Sequence, residues 1–170
     1  KAVLAVREHE DGIGQFDMGS TTFFRDGAAT QIYRVKLSAV DNGGTLVQPR
    51  IHGTLRADAD LFGGTDRTLE FSTTDPSVTV VELDTADVLT PPEVALKFIA
   101  PALEVTDSTL KAGDALDISE LLHLHATTGD VNIADSTLRG GVVSIGGSST
   151  ATAPQAVHIS TSEVTANRRL

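Results

Sequence analysis

Cysteine occurs nowhere in the 170 residues, which excludes a disulfide framework, a zinc–thiolate centre and a cysteine nucleophile. Tryptophan is absent as well, and Phe and Tyr raise the aromatic share to only 4%. The core must therefore be built from aliphatic side chains. Positive charge is scarce: 13 Lys and Arg face 23 Asp and Glu, for a net charge of −10. No basic cluster exceeds the pair Arg168–Arg169. Binding to a phosphate backbone needs clustered positive charge, so no nucleic-acid partner is expected, nor attachment to an anionic membrane surface. No apolar run approaches the roughly 18 residues of a membrane span, so no membrane insertion is expected. No stretch reads as a signal peptide. Lys1 leads directly into AVLAV, which fits an excised segment and a protease-trimmed chain equally.

Apolar residues make up 40% of the chain and charged residues 21%, the balance of a folded globular chain. Val, Ile, Leu and Thr carry the composition, and they suit pleated, half-buried surfaces. Short alternating stretches separated by Gly, Asp and Asn run through the first half. Gln31 to Val40 alternates between an apolar and a mixed face. Asp41-Asn42-Gly43-Gly44 is a strong hairpin signal. The strand expected from Thr45 to Ala57 contains Pro49, which points to an edge or a bulge. Residues 1–90 thus read as an antiparallel, sandwich-like β unit. One helical candidate follows at residues 91–102, where Thr90, Pro91 and Glu93 fit a helix start and Pro101 a stop.

From residue 103 the pattern changes. Short apolar-x-apolar pieces recur between Ser, Thr, Gly and Asp. Asp107-Ser108-Thr109-Leu110 returns as Asp135-Ser136-Thr137-Leu138, and a degraded copy follows at Val157-His158-Ile159-Ser160-Thr161-Ser162. Val105, Ile133 and Ile159 are spaced by 28 and 26 residues. A repeat of this size, with short strands and small-residue corners, predicts coils of a parallel β-solenoid over residues 103–170. Each coil then buries its aliphatic face only by stacking on the next, and the recurrent hydroxyls bond backbone groups at the corners. The fold class expected is all-β: an antiparallel unit followed by a solenoid-like segment. The alternative is a single β-sandwich or jelly roll.

Chemistry-bearing residues are sparse. His123 and His125 in LLHLHA are two apart and so share one face of a strand. His158 joins them as a third metal ligand if stacking brings it close. Asp58, Asp60 and Asp66 in DADLFGGTD resemble a calcium loop. Phe62, however, stands at a ligand position, and Leu69 stands where a bidentate Glu belongs, with Glu70 one residue late. Calcium there is the only cofactor candidate. There is no Gly-x-Ser-x-Gly elbow, no phosphate loop and no selected carboxylate pair, so no catalytic residues are assigned.

A cysteine-free, acidic, β-rich chain without a selected catalytic set is expected to be a non-enzymatic structural protein. The class is a subunit or module of an extracellular, cell-surface or virion assembly of fibre, decoration or adhesin type. It would form a homo-oligomer or larger protein assembly through β-edge contacts, with Lys1–Val6 and Thr165–Leu170 as candidate reaching segments. The alternative is a carbohydrate-binding or adhesion module with a glycan partner, for which Phe23–Phe24 offers an aromatic. A polysaccharide-active enzyme ranks third.

Overall fold

The computed structural model describes residues 31–56, 67–113, 120–147 and 156–166, together with short strands at 5–6, 16–17 and 24–25. In chain order the strands are β1 Ala5–Val6, β2 Phe16–Asp17, β3 Phe24–Arg25, β4 Gln31–Leu37, β5 Val40–Asn42, β6 Thr45–Val47, β7 Arg50–Arg56, β8 Arg67–Ser72 and β9 Val81–Leu89. They continue as β10 Val94–Ala100, β11 Leu103–Thr106, β12 Thr109–Lys111, β13 Leu121–Ala126, β14 Val131–Ala134, β15 Thr137–Gly140, β16 Val142–Gly147, β17 Val157–Ser160 and β18 Glu163–Ala166. No helix occurs among the described residues, and the chain winds as a parallel β-solenoid of about three turns with a small antiparallel pair.

Two sheets form the walls. Sheet A runs β17-β14-β11-β9-β12-β15-β18, with β7 also on β9 and β1 on β7; sheet B runs β16-β13-β10-β8-β4-β2, with β3 also on β4. The chain alternates between them, so each passage through one sheet lies in parallel register on the previous passage. Val105 pairs with Ile133 and Ile133 with Ile159, as the repeat spacing predicts. Inward columns result. In sheet A, Ile51, Leu83, Val105, Ile133 and Ile159 form one, and Leu55, Val88, Leu110, Leu138 and Val164 another. In sheet B, Val35, Phe71, Phe98, Leu124 and Ile145 align. Phe71 and Phe98 stack with ring centroids 4.9 Å apart.

The repeated Asp-Ser-Thr-Leu is a structural corner. Asp107, Asp135 and Thr161 take left-handed backbone angles (φ 49°, 50° and 48°), and Thr85 in the preceding coil takes φ 55°. Asp tolerates this region better than most residues. The bend turns the next side chain inward, and at Ser108 and Ser136 that side chain is a buried hydroxyl. Ser108 Oγ donates to Thr106 O at 2.7 Å and accepts from Ala86 N at 3.0 Å. Ser136 Oγ donates to Ala134 O at 2.6 Å and accepts from Ser108 N at 3.1 Å. Ser162 Oγ repeats this, with Ser160 O at 2.6 Å and Ser136 N at 3.1 Å. Each coil therefore satisfies an amide of the coil before it, and corner amides do not stay buried without partners.

Several expectations need correction. Residues 91–102 hold the strand β10, not a helix. Val94, Leu96, Phe98 and Ala100 are buried at a period of two, and Glu93 has φ 64°, incompatible with a right-handed helix start. Parallel stacking also reaches upstream of residue 103: β4 pairs β8, β8 pairs β10, and β7 pairs β9, all parallel. Among the described residues, antiparallel pairing in the first part is confined to β1 on β7, β2 and β3 on β4, and the β5–β6 hairpin. That hairpin turns at Gly43-Gly44, both left-handed (φ 62° and 88°), with Gly44 N donating to Asp41 Oδ1 at 2.8 Å. Pro49 ends one strand before another begins, splitting the expected Thr45–Ala57 strand into β6 and β7.

Ser136→Ala removes a buried acceptor and leaves the Ser108 amide without a partner, so it is expected to cost about 1–3 kcal/mol. Ser162→Ala, at the exposed end of the series, is expected to cost less than about 1 kcal/mol, because water replaces the lost hydroxyl. Chemical denaturation of both variants checks the order; equal losses would contradict the stacking role of the serines.

Candidate functional site

His123 and His125 both lie on the outer face of β13 in sheet B, while Leu122 and Leu124 between and beside them are fully buried. Strand alternation alone produces this division. The two imidazole rings have centroids 5.2 Å apart in an edge-on arrangement. In register with them stand Lys97 and Ile99 from β10, and Ser144 and Gly146 from β16. Half-burial, the neighbouring His125 and the Lys97 ammonium together lower the pKa of His123 from the ordinary 6.5.

His158 does not join the pair. It belongs to β17 in sheet A, in register with Asn132 and, further down that row, Glu104 and Glu82. The expected three-histidine set is therefore divided between two sheets, and no group of three or more metal-ligating side chains occurs among the described residues. Asp58, Asp60 and Asp66 lie outside the described residues. Leu69, at the position a bidentate Glu would need, is fully buried in the core. Glu70 accepts hydrogen bonds from Arg34 Nε at 2.6 Å and Ser72 Oγ at 3.0 Å. Phe24 lies in β3, but its side chain and Phe23 are outside the described residues.

The sequence did not single out two features. Glu120 is buried at the corner entering β13, with Oε1 accepting the Glu93 amide and Oε2 lacking a hydrogen-bond partner among the described residues. Gly113 makes room for it: a Cβ there would lie 2.5 Å from Glu120 Cδ. The Glu is one acidic residue in a Ser/Asp-rich stretch, and nothing in its sequence context marks it as buried.

The second feature is the last coil. Ile133 is 2% exposed, whereas Ile159, above it in the same column, is 48% exposed; Val157 and Val164 are each 41% exposed. These side chains occupy inward columns, yet no strand among the described residues lies over them. Among the described residues, strands β17 and β18 each pair on one side only, as does β16 in sheet B. The opposite end differs: β1 pairs with Leu55 and Arg56 of β7, and β2 and β3 pair with the two ends of β4, all antiparallel. Ala5–Val6, part of the Lys1–Val6 segment expected to reach a neighbouring subunit, instead pairs with Arg56 and Leu55 of its own sheet. Thr165–Ala166 belong to β18, and the four residues after them lie outside the described residues.

Comparison with known proteins returned no matching family model, curated protein or solved structure.

Because the pKa of His123 is lowered in the fold, its stabilising contribution is complete above the unfolded-chain value near 6.5. That contribution is lost as pH falls through the lowered folded value. The groups facing it are Lys97 from β10, His125 on its own strand and Ser144 from β16. An NMR titration is expected to give a midpoint for His123 below 6.5 that moves upward in Lys97→Met; a midpoint at or above 6.5 would contradict this environment.

Proposed function

We propose that this chain is a non-enzymatic structural module that joins a larger protein assembly through the open β edge of its last coil. The observation that carries the reading is the exposure of Val157, Ile159 and Val164 in columns whose other members are buried. An unpaired strand edge beside an apolar face is a ready template for strand addition. Burying an exposed aliphatic side chain contributes about 1.5–3 kcal/mol when complete. The apolar end and the unpaired edge would be satisfied by the same contact.

The two ends differ, and this shapes the assembly. Short antiparallel strands take up parts of β4 and β7 at the other end, so a second copy meets no continuous parallel edge there. Two copies would instead meet last coil to last coil, as an isologous, closed contact. A closed pair suits a decoration or terminal module better than the repeating unit of a filament. The acidic composition, with net charge −10, keeps the other faces soluble and mutually repelling. We place the assembly at an extracellular, cell or virion surface, on composition alone. No observation favours the carbohydrate-binding alternative: the described Phe71 and Phe98 are buried in the core rather than forming an exposed sugar platform.

Light scattering coupled to size-exclusion chromatography tests the reading. The wild-type chain is expected to form a stable dimer or larger species. Ile159→Lys combined with Val164→Lys is expected to give folded monomers, since both side chains are exposed within the single chain. A wild-type chain that stays monomeric at high concentration, or an oligomer indifferent to both substitutions, would overturn it.

A further inference from the structure

We propose that His123 and His125 form a two-imidazole chelate for a late first-row divalent ion, with copper(II) the best fit, on the outer face of sheet B. Both ligands stand on β13, one strand in from the open edge strand β16, and the proposal does not depend on the assembly reading.

The argument begins with geometry. Imidazole nitrogens bind such ions at about 2.0–2.1 Å, which holds the centroids of two rings on one ion roughly 4.5–5.2 Å apart for angles between square and tetrahedral. The observed separation is 5.2 Å. The interplanar angle of 64° is no obstacle, because each ring turns freely about its own metal–nitrogen bond. A flat strand fixes the spacing: alternate residues share a face, and β13 is held by hydrogen-bonded neighbours on both sides. The backbone is therefore organised before an ion arrives, and only side-chain torsions need adjusting.

The surroundings distinguish one side from the other. On the β10 side, Lys97 and Ile99 flank the pair and offer no ligand. On the β16 side, Ser144 presents a hydroxyl beside His123, and Gly146 leaves open space beside His125, with nothing within 4 Å of where a Cβ would stand. Waters or an exogenous group thus have room to complete the coordination. Partial burial, His125 and Lys97 lower the pKa of His123, which favours the neutral form that binds metal. Lys97 also opposes a bound cation, so affinity is a balance between a ready ligand and a nearby positive charge. Two nitrogens with open oxygen positions suit tetragonal copper(II), which also heads the affinity order for divalent ions of this row.

The test is titration of the full chain with copper(II) alone, followed by electron paramagnetic resonance and by calorimetry. The spectrum is expected to carry hyperfine structure from two nitrogens. His123→Gln and His125→Gln are each expected to lower affinity roughly tenfold or more, because the second imidazole otherwise binds at high effective concentration. Both glutamine variants keep a polar side chain at a partly exposed position, and their melting temperatures verify that they fold. Lys97→Met is expected to raise affinity by relieving repulsion. His158→Gln and His52→Gln are expected to leave binding unchanged. Absence of copper binding, a one-nitrogen spectrum, or affinity unchanged in both His123→Gln and His125→Gln would overturn the proposal.

Discussion

The left-handed corner of sheet A is the constraint from which much of this structure follows. A chain that bends at Asp107 or Asp135 turns the following amide out of the ordinary ladder of strand hydrogen bonds. A buried amide without a partner is costly, so the coil needs an acceptor at a fixed height and angle. The next coil supplies it as a serine hydroxyl, which at the same time bonds the carbonyl two residues before it: Ser136 to Ala134, and Ser162 to Ser160. One side chain thus shapes its own corner and completes its neighbour's. The aliphatic columns contribute the larger energy, but they are non-directional. The serine ladder adds direction, holding Val105, Ile133 and Ile159 in line rather than one residue out of step, where each inward face would turn to solvent.

Parts of this were legible in the residues. The identical Asp-Ser-Thr-Leu segments and their spacing located two corners, and the weaker third copy located another. The earlier corner at Thr85-Ala86 was hidden. Thr replaces Asp at the left-handed position and Ala replaces Ser, so only Val88 preserves the apolar column. An alanine suffices there because Ala86 only donates its amide to Ser108. The strand β10 resembles a helix in sequence because Ala95 and Ile99, on its outer face, blur the alternation of Val94, Leu96 and Phe98, while Pro91 and Glu93 imitate a helix start. Strands β4 and β7 were recognisable as strands, but alternation does not reveal the direction of a partner. One wetted face usually signals antiparallel pairing, and a solenoid breaks that association by winding parallel strands around a single core.

The site was legible only in part, for a related reason. Spacing within one strand fixes a face, so His123 and His125 were certain to be neighbours. Spacing between strands depends on where the chain crosses from one sheet to the other, and this carries His158 to the opposite wall. The exposure of Val157, Ile159 and Val164 had no sequence signal at all. Their pattern is that of the buried copies, and they are exposed because no coil among the described residues stacks on them. A module whose coils satisfy only their nearest neighbours always leaves such an end to be closed by something, which links the folding logic of the chain to the assembly proposed for it.

Amide-resolved hydrogen exchange on the Ile159→Lys/Val164→Lys variant, whose last coil is left uncovered, tests the ladder most directly. The amides of Ala86, Ser108 and Ser136 each meet the hydroxyl of the following coil, and they should exchange slowly. The Ser162 amide, with no further coil above it among the described residues, should exchange orders of magnitude faster. Four amides exchanging at one common rate, or a slow Ser162 beside fast Ser108 and Ser136, would contradict the account.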